Sequence, residues 1–520
     1  MNGARSLLHT LVKSGIDTCF MNPGTSEMHF VKSLDDVSEM KSVLGLFEGA
    51  VTGAADGYGR MSQKPAATLL HLGPGLANGI ANLHNAKRAY TPVVNIVGDH
   101  ATYHHGFDAP LESDIEGLAL PVSSWFRSVK SSETVAIDAA ECVAASYGPP
   151  AGVATLLLPA DLSWGESTGP VEPAIKTKLN TVDDSTIEEI GNIIKGEESV
   201  AFLLGGKTLL ERGLTSAAQV CQQFNVKLLA ETFPARLERG ASIPKVERLG
   251  YLAEFIESQL ANVKHLILID TKAPVSFFAY PNKPSYLVPE GATVHTLASN
   301  IDDSVRALDD LARYLGVETN NVEPPSIGFN ELIDGPLKAD NLANVVGMLL
   351  PEGAVVSDES NTAGIFLNGA TQGCPPHDWL CLTGGSIGQG LPLATGAALG
   401  AKNRRIISLE ADGSALYTIQ ALWTQARESL DVTTVILDNR RYAVLKMELD
   451  RVGADAPGDI ASSMLDISKP DIDFVSISKG LGVPAVRVDT VQSFHDEFKK
   501  SINTPGPSLI HAILPEGMGF

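Results

Sequence analysis

The feature that most constrains the fold is a repeated step from a short apolar run, through a turn, into a helix-like segment. It appears early as "DTCFMNPG", "SVLGLFEGAVTGAADGYGRMS", "PAATLLHLGPGLANGIANLHNAKR", "TPVVNIVGDH" and "GVATLLLPADLSW". A second series holds "SVAFLLGGKTLLERG", "HLILIDT" and "GATVHTLAS", and a third holds "GAVVSDES", "LCLTGGSIGQGLPLATGAALGA", "RRIISLEADGS", "DVTTVILDN" and "PSLIHAIL". Strand–turn–helix units in series build mostly parallel sheets with helices on both faces. At 520 residues the chain is too long for one core. It breaks at the polar stretch "STGPVEPAIKTKLNTVDDST", near residues 165–185, and more weakly at "GVETNNVEPPSIGFNE". The expectation is an α/β protein of three doubly wound parallel-sheet domains, at 1–168, 185–320 and 335–520. The likeness of "LGPGLANGIANLHNA" to "GGSIGQGLPLATGAA" implies that the first and third share an architecture.

Composition narrows the partners. A net charge of −22 argues against nucleic acid and anionic membranes. The opening "MNGARSLLHTLVKSGIDTCF" has polar residues at helical spacing and does not read as a signal peptide. No apolar run is long enough for a membrane helix. The five cysteines, Cys19, Cys142, Cys221, Cys374 and Cys381, are scattered without a CxxC pair. Reduced thiols and a cytoplasmic location are expected.

Asp412 ends the run "RIISLEAD", and Asn439, 27 positions further on, ends "DVTTVILDN". An Asp-Gly after a strand is, taken alone, an ordinary turn. With a helical segment between the two runs, however, both residues sit at the C-terminal tips of neighbouring parallel strands, where α/β proteins bind ligands. A carboxylate, an amide oxygen and a backbone carbonyl are hard oxygen ligands suited to Mg²⁺, which keeps its other positions for phosphate and water. N–H groups after Asp412-Gly413-Ser414 add an anion site. The unit reads as a Mg²⁺–diphosphate site.

These residues resemble the signature of the thiamine diphosphate enzymes, Gly-Asp-Gly followed a little under thirty residues later by Asn-Asn. Here Ala411 stands for the first Gly and Asp438 for the first Asn. The resemblance runs the whole length and implies pyrimidine-binding, central and diphosphate-binding domains. It implies Asp412, Asn439 and the Arg441 carbonyl as Mg²⁺ ligands, with Gly413, Ser414 and Tyr442 near the cofactor. "GLFEGAVTGAADGYGR" matches the segment carrying the activating acid, giving Glu48. Buried against N1′ of the pyrimidine, it would promote the imino tautomer that deprotonates the thiazolium. Structural pairing is the other reading of such an acid. "GGSIGQGLP" gives Gly385 and Ile387, the apolar prop for the bent cofactor, and "SDESNTAG" gives Asn361 and Thr362. The family pattern places each cofactor between two subunits, so a homodimer or homotetramer is implied.

Within the family the first domain is most similar to benzoylformate decarboxylase. "NPGTSE" offers Thr25 to orient a substrate carboxylate, and "LLHLGPG" offers His71 as an acid/base group, with a satisfied core histidine as its plainer reading. That branch has a second catalytic His in the central domain. Ala279 falls at its position, in "APVSFFAYPN". His104 and His105 in "GDHATYHHGFDAP" are similar to the His pair of pyruvate decarboxylases and could replace it. Asp99, His100, His104 and His105 lack the spacing of a metal cluster. Leu445 and Glu448 are expected to approach the substrate. The function implied is a thiamine diphosphate- and Mg²⁺-dependent 2-oxo acid decarboxylase or carboligase acting on a small 2-oxo acid and an aldehyde acceptor. The alternative is condensation of two 2-oxo acids as in acetolactate synthase, whose large subunits share "NPGTSEMHF"-like segments. Those enzymes bind FAD, for which "LLGGKTLLERG" is the one candidate loop. A nicotinamide dehydrogenase reading of "GGSIGQG" fails, because that loop should follow the first strand.

Overall fold

In a computed structural model, which describes residues 1–317, 331–454 and 456–517, the apolar runs form three sheets. Most of the weaker break predicted around residues 316–331 lies outside the described residues. The first sheet orders its strands Lys41–Leu44, Thr18–Asn22, Ala66–Leu70, Val93–Asp99, Val153–Pro159 and Trp125–Ser128, all parallel. The second orders Glu247–Arg248, Lys227–Ala230, Val200–Leu204, His265–Ile269 and Thr293–Ala298, again parallel. The third runs Ala485–Val488, Ser508–Ile513, Val432–Asp438, Ile406–Ala411, Val355–Glu359, His377–Cys381 and Leu237–Arg239. The central strands are buried along nearly their whole length, as parallel strands covered by helices on both faces must be.

The last strand of the third sheet departs from the expected pattern. Leu237–Arg239 comes from the middle of the chain and pairs antiparallel with His377–Cys381, His377 opposite Arg239. Three residues carry too little periodicity to register as a strand in the sequence.

The first and third sheets are joined inside one chain by two helices, Glu48–Ser62 and Gly390–Gly400. They approach so closely that a methyl group built on Gly396 would lie 1.8 Å from the Ala54 carbonyl oxygen, and one on Gly57 would lie 2.0 Å from that of Leu393. The glycines of "GAVTGAADGYG" and "LATGAALG" are there for helix contact. Beside this seam a fully buried Asp56 accepts from Arg60 Nε and Nη2, at 2.8 and 2.7 Å, and from Thr91 Oγ1 and Gln389 Nε2. Arg60 goes on to the carbonyls of Ala235 and Cys381. A buried carboxylate is tolerable only when paired and hydrogen-bonded in this way, and here the pairing fastens three segments of the chain together.

Candidate active site

The predicted site residues collect in two groups, each at the C-terminal tips of parallel strands. The first group lies on the first sheet. His71 follows the strand Ala66–Leu70, and the next residue, Leu72, is buried in the left-handed region at φ +53°. A bulky residue rarely adopts that conformation, and such strain gathers at functional sites. It turns the chain sharply into the helix Leu72–Arg88 and leaves His71 at the helix tip. His71 Nδ1 lies 2.8 Å from Glu27 Oε2, an oxygen that also accepts from the Gly24 N–H at 2.7 Å. Burial pushes the Glu27 carboxyl up, while the charge and hydrogen bond of His71 oppose the shift. Gly98 has no room for a side chain, because a methyl group there would meet Glu27 Oε1 at 1.7 Å. Glu27 was not singled out in the sequence. Its only signal is the acid three residues after Pro-Gly, and its partner lies 44 residues away.

Glu48 begins the helix Glu48–Ser62, whose residues Gly49–Met61 are buried. The sequence predicts a buried acid, but Glu48 itself is only half-buried because it sits at the exposed N-terminal tip. Its Oε2 accepts from Asn78 Nδ2 at 3.0 Å. Gly75 lies between Glu48 and His71: a methyl group on it would stand 3.3 Å from Glu48 Oε1 and 3.4 Å from His71 Cβ. The two candidate residues therefore border the same glycine. Thr25 is exposed at the start of the short helical turn Thr25–Glu27.

The histidines after the strand Val93–Asp99 form their own cluster. His105 Nδ1 lies 2.8 and 3.0 Å from the two oxygens of Glu112, and its Nε2 lies 3.4 Å from Asp99 Oδ2. The Glu112 hydrogen bond holds the His105 imidazolium above its ordinary range. His104 stacks obliquely on His100, ring centroids 5.2 Å apart. Ser113, next to Glu112, fills the space over Gly73, two residues past His71, so the cluster and His71 border the same loop.

The second group lies on the third sheet. Ala411 pairs with Leu437, which sets Asp412 and Asn439 on adjacent strand tips. Asp412 is 3% exposed. It accepts from the N–H groups of Gly413 at 2.7 Å and Arg440 at 2.6 Å. Burial, reinforced by the neighbouring Asp438, raises its pKa. Asp438 is held down by His511, whose Nε2 is 2.6 Å away. Asn439 Oδ1 accepts from the Arg441 N–H at 3.2 Å, and its Nδ2 donates to the Gly517 carbonyl. Arg441 turns its guanidinium outward to Glu516. Two buried carboxylates this close, with an amide oxygen beside them, form a hard-oxygen cradle whose charge a divalent cation would balance. The helix after Asp412 is only Asp412–Ala415, and the Gly413 N–H is already turned onto Asp412, so side chains rather than a helix dipole define this pocket.

Around that cradle Asn361, at φ +50°, donates from Nδ2 to Ser414 Oγ at 2.9 Å, with Thr362 half-buried beside it. Tyr442 packs over Gly413, leaving only 2.5 Å for a methyl group there. A cavity of about 610 Å³ opens on the same loop, lined by Arg441, Tyr442, Lys446, Leu465, Glu516 and Gly517. The loop Gly385–Ile387 is held at Ser386 by Asn85, and the residues just after it are fixed from two sides. Asn82 Nδ2 donates to both Gly49 O and Gly388 O, and Glu359 accepts from the Gly388 N–H at 2.6 Å and the Gly390 N–H at 2.5 Å. Phe277 presses against Gly385, and Tyr251 donates its hydroxyl to Glu448 Oε1 at 3.4 Å. Glu448 is thus engaged with the central segment, while Leu445 stays exposed.

Comparison with known proteins gives these groups a common meaning. Residues 1–119 match the N-terminal TPP binding domain of thiamine pyrophosphate enzymes, and residues 368–512 match the C-terminal TPP binding domain. A Mycobacterium tuberculosis protein provisionally named acetolactate synthase large subunit is 50% identical over 524 residues, covering 100% of both chains. Benzoylformate decarboxylase of Pseudomonas aeruginosa is 26% identical over 527 residues, covering 96% of each. The fold superposes on a thiamine diphosphate-dependent 4-hydroxybenzoylformate decarboxylase of Rhodococcus jostii with a TM-score of 0.87 at 23% identity, covering 100% of both. With both cofactor-domain models matched and half its residues shared with a full-length relative, the chain belongs to the thiamine pyrophosphate enzymes.

Proposed function

We propose that this chain is a 2-oxo acid decarboxylase, able to act as a carboligase, that uses thiamine diphosphate held by Mg²⁺ in a homodimer or homotetramer of the cytoplasm. When bound, the cofactor supplies the electron sink for loss of CO₂. Asp412, Asn439 and the Arg441 carbonyl would hold Mg²⁺, which their donor chemistry fits. Ser414, Gly413, Tyr442, Asn361 and Thr362 would line the diphosphate, Gly385 and Ile387 would shape the thiazolium side, and Glu48 would hold a proton at N1′. Glu48 is half-exposed at a helix tip, as expected of a residue that meets a cofactor and a second subunit.

The observation that carries this reading is the Glu27–His71 pair beside Glu48. A carboxylate accepting from Nδ1–H fixes the tautomer and leaves Nε2 as the working nitrogen, which would take up a proton and pass it on to the product. His105, hydrogen-bonded to Glu112, would supply a second proton with His104 beside it, and Thr25 would orient the substrate carboxylate.

The rival is condensation of two 2-oxo acids, favoured by the name of the relative that is 50% identical. The one candidate flavin loop, at Gly205–Lys207, argues against the flavin of that reaction. Where the pyrophosphate would lie, the Lys207 N–H is given to Asp270 Oδ2 at 3.0 Å, and a methyl group on Gly205 would meet Glu231 Oε2 at 2.9 Å. Two carboxylates crowd the glycine loop that an anion needs open. The test is a panel of 2-oxo acids, including benzoylformate and pyruvate, with thiamine diphosphate and Mg²⁺, followed by CO₂ and product analysis. Aldehyde or its ligation product supports the proposal. Acetolactate as the main product from pyruvate supports the rival, and CO₂ from none of the panel overturns both.

A further inference from the structure

The oxygen cradle departs from the family signature at Asp438, where the pattern has Asn. Asp438 ends the strand Val432–Asp438. On the neighbouring parallel strand Ser508–Ile513, His511 pairs with Ile436, which sets its side chain two residues behind Asp438 on the same face. Both side chains are buried, at 3% exposure for His511 and 7% for Asp438. His511 Nε2 lies 2.6 Å from Asp438 Oδ2. The other ring nitrogen, Nδ1, is buried with no hydrogen-bond partner among the described residues, and the ring meets Phe474 edge to face at a centroid distance of 5.1 Å. Asp438 Oδ1 accepts from the Arg440 N–H at 3.0 Å, and the same N–H is given to Asp412 Oδ2 at 2.6 Å. Arg440 is in the left-handed region at φ +59°, a conformation that residues with a side chain rarely adopt.

The bonding of His511 is one-sided. A buried ring nitrogen without a partner costs free energy, so an apolar residue would suit this position better if the ring only filled space. Its hydrogen bond goes to Asp438. An ionised Asp has two acceptor oxygens, one here for the Arg440 N–H and one for the His511 N–H. An Asn has a single acceptor oxygen, and its amide would turn a donor toward Nε2. Asp438 and His511 therefore belong together, in place of the lone Asn of the signature. What they secure is the turn Asn439–Arg441, whose left-handed middle residue has its N–H caught between Asp412 and Asp438. We infer that His511 and Asp438 are positioning residues for the divalent cation: His511 fixes Asp438, and Asp438 fixes the turn that carries Asn439 and Arg441 beside Asp412. The inference rests on the Mg²⁺ reading proposed above. With one oxygen committed to Arg440 and the other to His511, Asp438 supports the ligands rather than joining them. Outer bonds of this kind orient metal ligands, and losing one typically costs about 10–100-fold in metal affinity.

The experiment measures Mn²⁺, which suits the same oxygen ligands, on full-length, chelator-treated protein with saturating thiamine diphosphate. Electron paramagnetic resonance counts the free ion, Mg²⁺ serves as competitor, and no turnover is needed. His511→Leu and Asp438→Asn are each expected to weaken binding about 10–100-fold. The double variant, Asp438→Asn with His511→Leu, rebuilds the Asn of the signature with no donor facing it. It should bind no more weakly than either single variant, as coupled residues do. Should His511→Leu fold poorly by circular dichroism, Asp438→Asn against wild type decides. Wild-type affinity in either single variant overturns the inference, and so do losses that multiply in the double variant. If Asp412→Ala still loses Mn²⁺ in that case, the Mg²⁺ reading stands and only the positioning pair falls. No Mn²⁺ uptake by wild type, or uptake unchanged in Asp412→Ala, overturns both.

Discussion

His71 Nδ1 lies 2.8 Å from Glu27 Oε2, and the carboxylate is 3% exposed. A buried acid that gives one oxygen to both an imidazole and a backbone N–H is committed to orienting that imidazole. Glu27→Gln, isosteric but unable to favour the same tautomer and charge, should lower kcat by about 10-fold or more with little change in KM. His71→Ala should cost about 100-fold or more. Steady-state kinetics on the best 2-oxo acid decide it. A wild-type kcat in Glu27→Gln would remove the orienting role.

Glu48 is expected to act on bound cofactor without holding the fold, since it is half-buried and, among the described residues, its carboxylate is hydrogen-bonded only to Asn78, at 3.0 Å. Glu48→Gln should keep the far-ultraviolet circular dichroism of wild type and lose turnover by about 100-fold or more. Unchanged turnover would rule out Glu48 as the activating acid.

The pH dependence of Mg²⁺ stabilisation follows from Asp412. Burial and Asp438 push this acid up to about 7 from 3.8. An acid raised in the folded state stabilises fully below its unfolded value and loses that contribution as pH climbs through the raised one. Metal-free protein should therefore give up this contribution between about pH 4 and 7, and Mg²⁺, which needs the ionised acid, should restore it. The rise in melting temperature on adding Mg²⁺ and thiamine diphosphate should grow from pH 5 to 8 and vanish in Asp412→Ala. A metal-induced rise equal at both pH values would contradict the assignment.

The helix seam gives a stability prediction. Gly396→Ala pushes a methyl group to 1.8 Å from the Ala54 carbonyl oxygen, so the helices must part. Overpacking of this kind costs about 1–3 kcal/mol. Urea unfolding of wild type and variant measures it, and Gly369→Ala, which meets nothing within 4 Å, is the matched control.

Much of this was legible in the residue order. Apolar runs such as "TPVVNIVGD" and "DVTTVILD" are long enough to mark buried strands, and the Asp412 and Asn439 spacing follows from the short helical segments Asp412–Ala415 and Ala421–Arg427 between two adjacent strands. What stayed hidden depends on chain segments meeting at a distance. Glu27 finds His71 because the strands ahead of them, Thr18–Asn22 and Ala66–Leu70, pair in the sheet, and neither residue announces the other. Nothing in the sequence marks Arg60 for burial, yet it is 6% exposed because Asp56 and the carbonyls of Ala235 and Cys381 surround it. Glu48 errs the other way, since an acid in an apolar segment predicts burial and its place at the helix tip leaves it half-open.

The borrowed strand Leu237–Arg239 carries a practical corollary for anyone dissecting this enzyme. Excising the middle segment to obtain a minimal two-piece catalyst would strip His377–Cys381 of its outer neighbour and leave a bare hydrogen-bonding rim. Unprotected rims recruit other chains, so such a truncation should precipitate. Any trimmed version will have to carry those three residues, or a substitute ribbon, along with the catalytic halves.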